Sequence, residues 1–88
     1  MRKQMVDQFL AVASEESLQD FATQFGLAAT TPSGDSRIYT GMIEGYAIEI
    51  RERWWDPSSV YSIQKDRHEA ILFINDQKIA SVHFEGGS

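Results

Sequence analysis

Arg37-Ile38-Tyr39-Thr40-Gly41-Met42-Ile43-Glu44-Gly45-Tyr46-Ala47-Ile48-Glu49-Ile50-Arg51-Glu52-Arg53-Trp54 is the stretch that decides the fold. Its side chains alternate with a period of two, the mark of strands with one face buried, and Glu44-Gly45 interrupts the pattern midway. Two strands, Arg37 to Ile43 and Tyr46 to about Trp54, therefore flank a two-residue hairpin turn. That turn pairs Ile43 with Tyr46, Gly41 with Ile48, Tyr39 with Ile50 and Arg37 with Glu52. One face then carries Tyr39, Ile43, Tyr46, Ile48 and Ile50. The other carries Ile38, Thr40, Met42, Ala47, Glu49, Arg51 and Arg53, a mixed and half-exposed set.

Upstream of the hairpin the period lengthens. Met5, Phe9 and Val12, with Val6, Leu10 and Ala13 beside them, place an apolar stripe on a helix from about Arg2 to Ala13. Ser17-Leu18-Gln19-Asp20 has capping-box form with Asp in place of Glu or Gln, and Leu18, Phe21, Ala22 and Phe25 repeat the helical period up to Gly26. Gly26 is the expected left-handed stop, with Leu27 folding back on the last turn. Residues 14–17 read either as a break between two short helices or as a bend within one. Residues 28–35, small and polar with Pro32 and Gly34, read as the connection from helix to sheet.

Downstream, Asp56-Pro57-Ser58-Ser59 is a turn signal, Val60 to Lys65 a weak third strand, and Asp66-Arg67-His68 a second turn. Ala70-Ile71-Leu72-Phe73-Ile74 is continuously apolar, as expected of a central strand covered on both sides. After Asn75-Asp76-Gln77, a strand from Lys78 to Phe84 is expected to share a face through Ile71, Phe73, Ala80, Val82 and Phe84, with Ser81 and His83 opposite and Ala70 across from His83. The fold expected is one α+β domain of 88 residues. It has one or two short N-terminal helices (1–27), a connection (28–35), a four- to five-stranded antiparallel meander (36–85) and a frayed tail (86–88).

Composition narrows the function. A chain this short buries only about 60 to 65% of its unfolded surface, which leaves little interior for an enclosed active site. It has no cysteine, which excludes a disulfide scaffold and thiolate chemistry and fits a reducing cytoplasm. No apolar run is long enough for a membrane span, and Asp7 interrupts the N-terminus where a signal peptide would be apolar. The net charge is −5, with two basic and five acidic groups in residues 1–35 and six and eight in residues 36–88, so nucleic acid is an unfavoured partner.

Groups that carry chemistry are sparse. No serine sits in a Gly-x-Ser-x-Gly elbow, the glycines form no phosphate loop, and no catalytic residue is assigned. His68 and His83 are separated by a hairpin and read as surface residues, so no metal and no cofactor is implied. Glu15-Glu16 suits a first helical turn, and Glu49 and Glu52 lie on opposite faces of one strand. The unusual feature is Arg51-Glu52-Arg53-Trp54-Trp55-Asp56-Pro57. Adjacent tryptophans in a strand point to opposite faces, so at most one joins the core by alternation. The other is left for a surface or rim, and Trp and Arg are enriched at interface hot spots. The plainer alternative packs one Trp under the helix and covers the other with an Arg.

Helix followed by antiparallel meander resembles the cystatin-like and monellin-like topology, and two helices before a sheet resemble a shortened nuclear-transport-factor cone. These resemblances are architectural, without the Gln-x-Val-x-Gly loop of the cystatin inhibitors, and transfer no activity. The sequence favours a small non-catalytic protein-binding module, of inhibitor, immunity, antitoxin-like or regulatory-subunit type. It would bind another protein through Arg51, Arg53, Trp54, Trp55 and Asp56 or a free sheet edge, with a homodimer through the same surface. The competing expectation is a ligand-binding or weakly catalytic pocket between helix and sheet in a dimer, lined by Tyr39, Trp54 and His83.

Overall fold

The computed structural model describes residues 2–30, 34–55 and 67–85. Two helices, α1 (Arg2–Leu10) and α2 (Glu15–Gln24), precede five strands: β1 (Ala28–Ala29), β2 (Ser36–Ile43), β3 (Tyr46–Trp55), β4 (Arg67–Ile74) and β5 (Gln77–Glu85). The strands form one antiparallel meander in the order β1-β2-β3-β4-β5. No helix among the described residues is long and apolar enough to cross a membrane.

The break between the helices is made by serines. Ser14 is the N-cap of α2, its hydroxyl accepting from the Ser17 backbone N–H, while the Ser17 hydroxyl accepts from the Ser14 N–H in return. The capping box therefore starts three residues before the expected Ser17 cap, and α1 ends at Leu10 rather than Ala13. Glu15 and Glu16 fall in the first turn, where acidic side chains suit the helix dipole. Gly26, at φ +70°, ends α2: its N–H reaches the Thr23 carbonyl and the Leu27 N–H the Ala22 carbonyl, the reciprocal bonds of a Schellman stop. The chain then pairs at once, as Ala28 and Ala29 add a short edge strand to Thr40 and Tyr39 within the expected connection.

The β2–β3 register is the one that the two-residue turn dictates, from Ile43↔Tyr46 to Arg37↔Glu52. Glu44 and Gly45 both take positive φ, as a primed hairpin turn requires. The β4–β5 pairing departs from expectation. Its turn is also two residues, Asn75-Asp76, and a register shift at Leu72/Phe73 then sets His83 opposite Glu69 and Ala70 opposite Val82. Asn75 ties this turn to β3, its N–H donating to the Ala47 carbonyl and its Oδ1 accepting from the Ala47 N–H. Arg67 and His68 belong to β4 rather than to a turn, because both pair with β3 and β5. The expected strand from Val60 to Lys65 and the turn at Asp56 lie outside the described residues.

Both helices cover one face of the sheet. Met5 and Phe9 of α1, Val12, and Leu18, Phe21 and Ala22 of α2 bury Tyr39, Ile48, Ile50, Ala70, Leu72, Ile74, Val82 and Phe84 beneath them. Phe9 meets Phe21 edge to face with ring centroids 5.7 Å apart. Gly41 is needed where α2 exits: a Cβ there would lie 2.8 Å from Leu27 Cδ2 and 3.3 Å from the Gly26 carbonyl oxygen. The phase of β4 is opposite to that expected. Ala70, Leu72 and Ile74 face the helices, and Ile71 and Phe73 lie half-buried on the outer face with Ser81 and His83. β4 is thus next to an edge strand rather than central, and among the described residues it is covered by helix on one side only.

Candidate functional site

Residues that could carry function gather at one end of the sheet, where Arg37 pairs with Glu52 and, diagonal to them, His68 pairs with Phe84, all on the inner face. Alternation that buries Ile48 and Ile50 carries Glu52 inward too, and Glu52 is 1% exposed. A buried carboxylate is costly unless it is paired and hydrogen-bonded. Here it is both. The Tyr39 hydroxyl donates to Glu52 Oε1 at 3.3 Å and His68 Nδ1 lies 3.0 Å from Oε2. Arg37 Nη1 donates to the Tyr39 oxygen at 3.2 Å and stands 3.9 Å from Glu52 and 3.7 Å from Glu15 at the start of α2.

Burial pushes the Tyr39 phenol above its ordinary value, and this outweighs the Arg37 hydrogen bond, so Tyr39 is held protonated as a donor. The bond to Tyr39, followed by the charges nearby, raises Arg37 against the opposing effect of burial. His68 is 5% exposed, with Trp54 stacked at 5.6 Å on one side and Phe84 at 5.1 Å on the other. An imidazole oriented through Nδ1 by a buried carboxylate is the arrangement that aims a general base. Here both ring faces are covered, and the cluster ties β2, β3, β4 and α2 together. Among the described residues no buried side-chain polar atom lacks a partner.

The outer face carries a second, open set. Arg51 pairs with Glu49 and lies over the Phe73 ring at 4.4 Å. Arg53 donates to Glu69 Oε1 at 2.8 Å and lies 5.5 Å from the centre of the Trp55 ring, while His83 Nε2 sits 3.0 Å from Glu69 Oε2. Burial alone would raise the Glu69 carboxyl, but hydrogen bonds and charge from Arg53 and then His83 hold it below its ordinary 4.5. An open groove of about 480 Å³ runs across this face between Ile38 and Ile71, bordered by Arg51, Arg53 and Glu69. A second groove of about 410 Å³ continues it past Trp55 to Asp35.

The expected partner-binding residues are therefore divided. Arg51, Arg53 and Trp55 share the outer face. Trp54 points inward, half-buried against His68 with Arg37 5.7 Å from its ring centre. Asp56 lies outside the described residues. The expected pocket lining does not assemble, because Tyr39 and Trp54 face the helices and His83 stands on the other side of the sheet. His68, read from sequence as a surface residue, is core; the two histidines lie on opposite faces, and among the described residues no three acidic or histidine side chains gather around a metal position. Sequence reasoning missed the Glu52–His68 pair, although the hairpin register had already set Glu52 across from Arg37.

Compared with protein-family models, curated proteins and solved structures, the chain finds no match.

Proposed function

We propose that this chain is a small, non-catalytic protein-binding module that docks through the outer face of its sheet, with Trp55 and Arg53 as the anchor. One observation carries the reading: Met42 (69% exposed), Trp55 (39%) and Ile38 (37%) all lie on the one face that neither helix covers. Trp and Arg dominate interface hot spots because each buries a large area while keeping a polar contact, and Trp55 beneath Arg53 is such a pair. The grooves beside them are open troughs, suited to a partner's side chains rather than to enclosing a small ligand. Among the described residues the buried polar side chains satisfy one another. The absence of cysteine fits a reducing cytoplasmic setting.

The test is affinity capture from cell extract with the wild type and with Trp55→Ala and Arg53→Ala variants, folding being monitored by circular dichroism. A partner retained at constant stoichiometry should be released at least about thirtyfold more readily from Trp55→Ala, the scale of a hot-spot loss near 2 kcal/mol. Equal retention by wild type and variants would defeat the reading.

A further inference from the structure

We infer that the outer face also closes on a second copy of this chain, sheet against sheet, so that self-association and partner docking compete for one surface; this rests on the docking reading above. Charge is the first ground. The chain carries −5 overall, so two copies repel unless they meet where charge is balanced. The outer face of β3, β4 and β5 carries no excess of acid: Arg51, Arg53, Arg67 and Lys78 stand against Glu49, Glu69 and Glu85, a near balance of one positive charge. Excess acid lies elsewhere, on the helical layer at Asp7, Glu15, Glu16 and Asp20 and in the turns at Asp35, Glu44 and Asp76.

Self-complementarity is the second ground. Ile38, Arg51, Ile71 and Ser81 form one row across four strands. A twofold axis lying in the interface along that row lays β3 antiparallel over its copy. Ile38 and Ile71 then meet their own copies. Arg53, two residues to one side of the row, meets Glu49, two residues to the other, and the contact occurs twice. Arg51, in the same row, also meets its own copy, and there each guanidinium is offset by its own Glu49 and lies over its own Phe73.

Area is the third. Four strands about 4.8 Å apart and some eight residues long at about 3.3 Å each give a footprint of roughly 500 Å². Two copies then bury on the order of 1,000 Å², the lower bound for a specific interface. Such a dimer is exchangeable, as a face shared with a partner requires.

Sedimentation equilibrium from micromolar to millimolar chain tests this, with Ile38→Glu on the outer face and Leu10→Glu, an exposed apolar position on α1, as the control. The wild type and Leu10→Glu should rise toward twice the 10.0 kDa chain mass. Ile38→Glu, folded by circular dichroism, should dimerise on the order of tenfold or more weakly, because its carboxylates meet across the axis. A wild type that stays at 10.0 kDa throughout would overturn the inference, as would an Ile38→Glu dimer of undiminished strength. Loss of partner capture by Trp55→Ala would stand in either case, so the two readings fail separately.

Discussion

His68 is enclosed by Trp54, Phe84 and the carboxylate of Glu52, and its Nδ1 contact to that carboxylate decides what substitutions there do. Removing one partner of a buried hydrogen bond costs about 1 to 3 kcal/mol because the other is left unsatisfied, whereas replacing both by apolar groups of the same shape can be nearly neutral. His68→Ala or Glu52→Leu alone should therefore destabilise the fold by about 2 to 3 kcal/mol. The double variant Glu52→Leu/His68→Phe should lose less than the sum of the two single losses, the remainder being what Tyr39 and Arg37 lose with Glu52. Urea denaturation of the three proteins measures the coupling, and strict additivity would contradict the pairing. The pair was hidden in the sequence for two reasons. A glutamate is read by default as solvated, although the period-two pattern that buries Ile48 and Ile50 forces Glu52 inward. His68 follows Asp66-Arg67, a turn-like prefix, so β4 looked as if it started later than it does.

At the scale of elements, what was legible depended on whether a turn fixed the phase. Glu44-Gly45 allowed one register for β2 and β3, and alternation confirmed it residue by residue. Residues 70–74 are apolar throughout, so nothing in them says which side faces in. That choice is made by β3, where Ile50 pairs with Leu72 and Ile48 with Ile74, and by Asn75 holding the turn to Ala47. The expected pairing set Ala70 across from His83, where Glu69 stands, and that one-residue slip reversed the faces of Ile71 and Phe73. The helix ends were partly legible: Gly26 was readable as a stop, while Ser14 was overlooked because serine at the third helical position is an uncommon box partner. Ser14→Ala should cost about 1 kcal/mol through the lost cap. Gly26→Ala should cost about 1 to 2 kcal/mol because φ is +70° there. Thermal unfolding of each variant checks both, and a Ser14→Ala protein as stable as wild type would mean the box contributes nothing.

At the scale of the whole molecule, helices on one face of a meander make a protein of two layers with unequal sides. The expected order of helix and then sheet is the observed one, since a period of 3.6 giving way to a period of two is a strong signal. The identity of the docking residues was only half legible, because adjacent tryptophans announce opposite faces without saying which is inward. The asymmetry has a direct energetic reading. Leu72→Ala, on the inner face, should cost about 2 to 5 kcal/mol. Met42→Ser, on the outer face, should change stability by no more than about 0.5 kcal/mol when measured dilute enough to keep the chain monomeric. Chemical denaturation separates the two, and comparable losses would mean that the outer face is part of the core.

The tandem tryptophans divide the molecule's light emission between its two sides. Trp54 is held in a stack with an imidazole, and Trp55 sits at the rim beneath a guanidinium. Replacing either one by phenylalanine leaves a single intrinsic reporter, one that senses the interior and one that senses whatever lands on the sheet. The chain thus carries a built-in optical means of distinguishing an event on its surface from a change in its core, with no label attached.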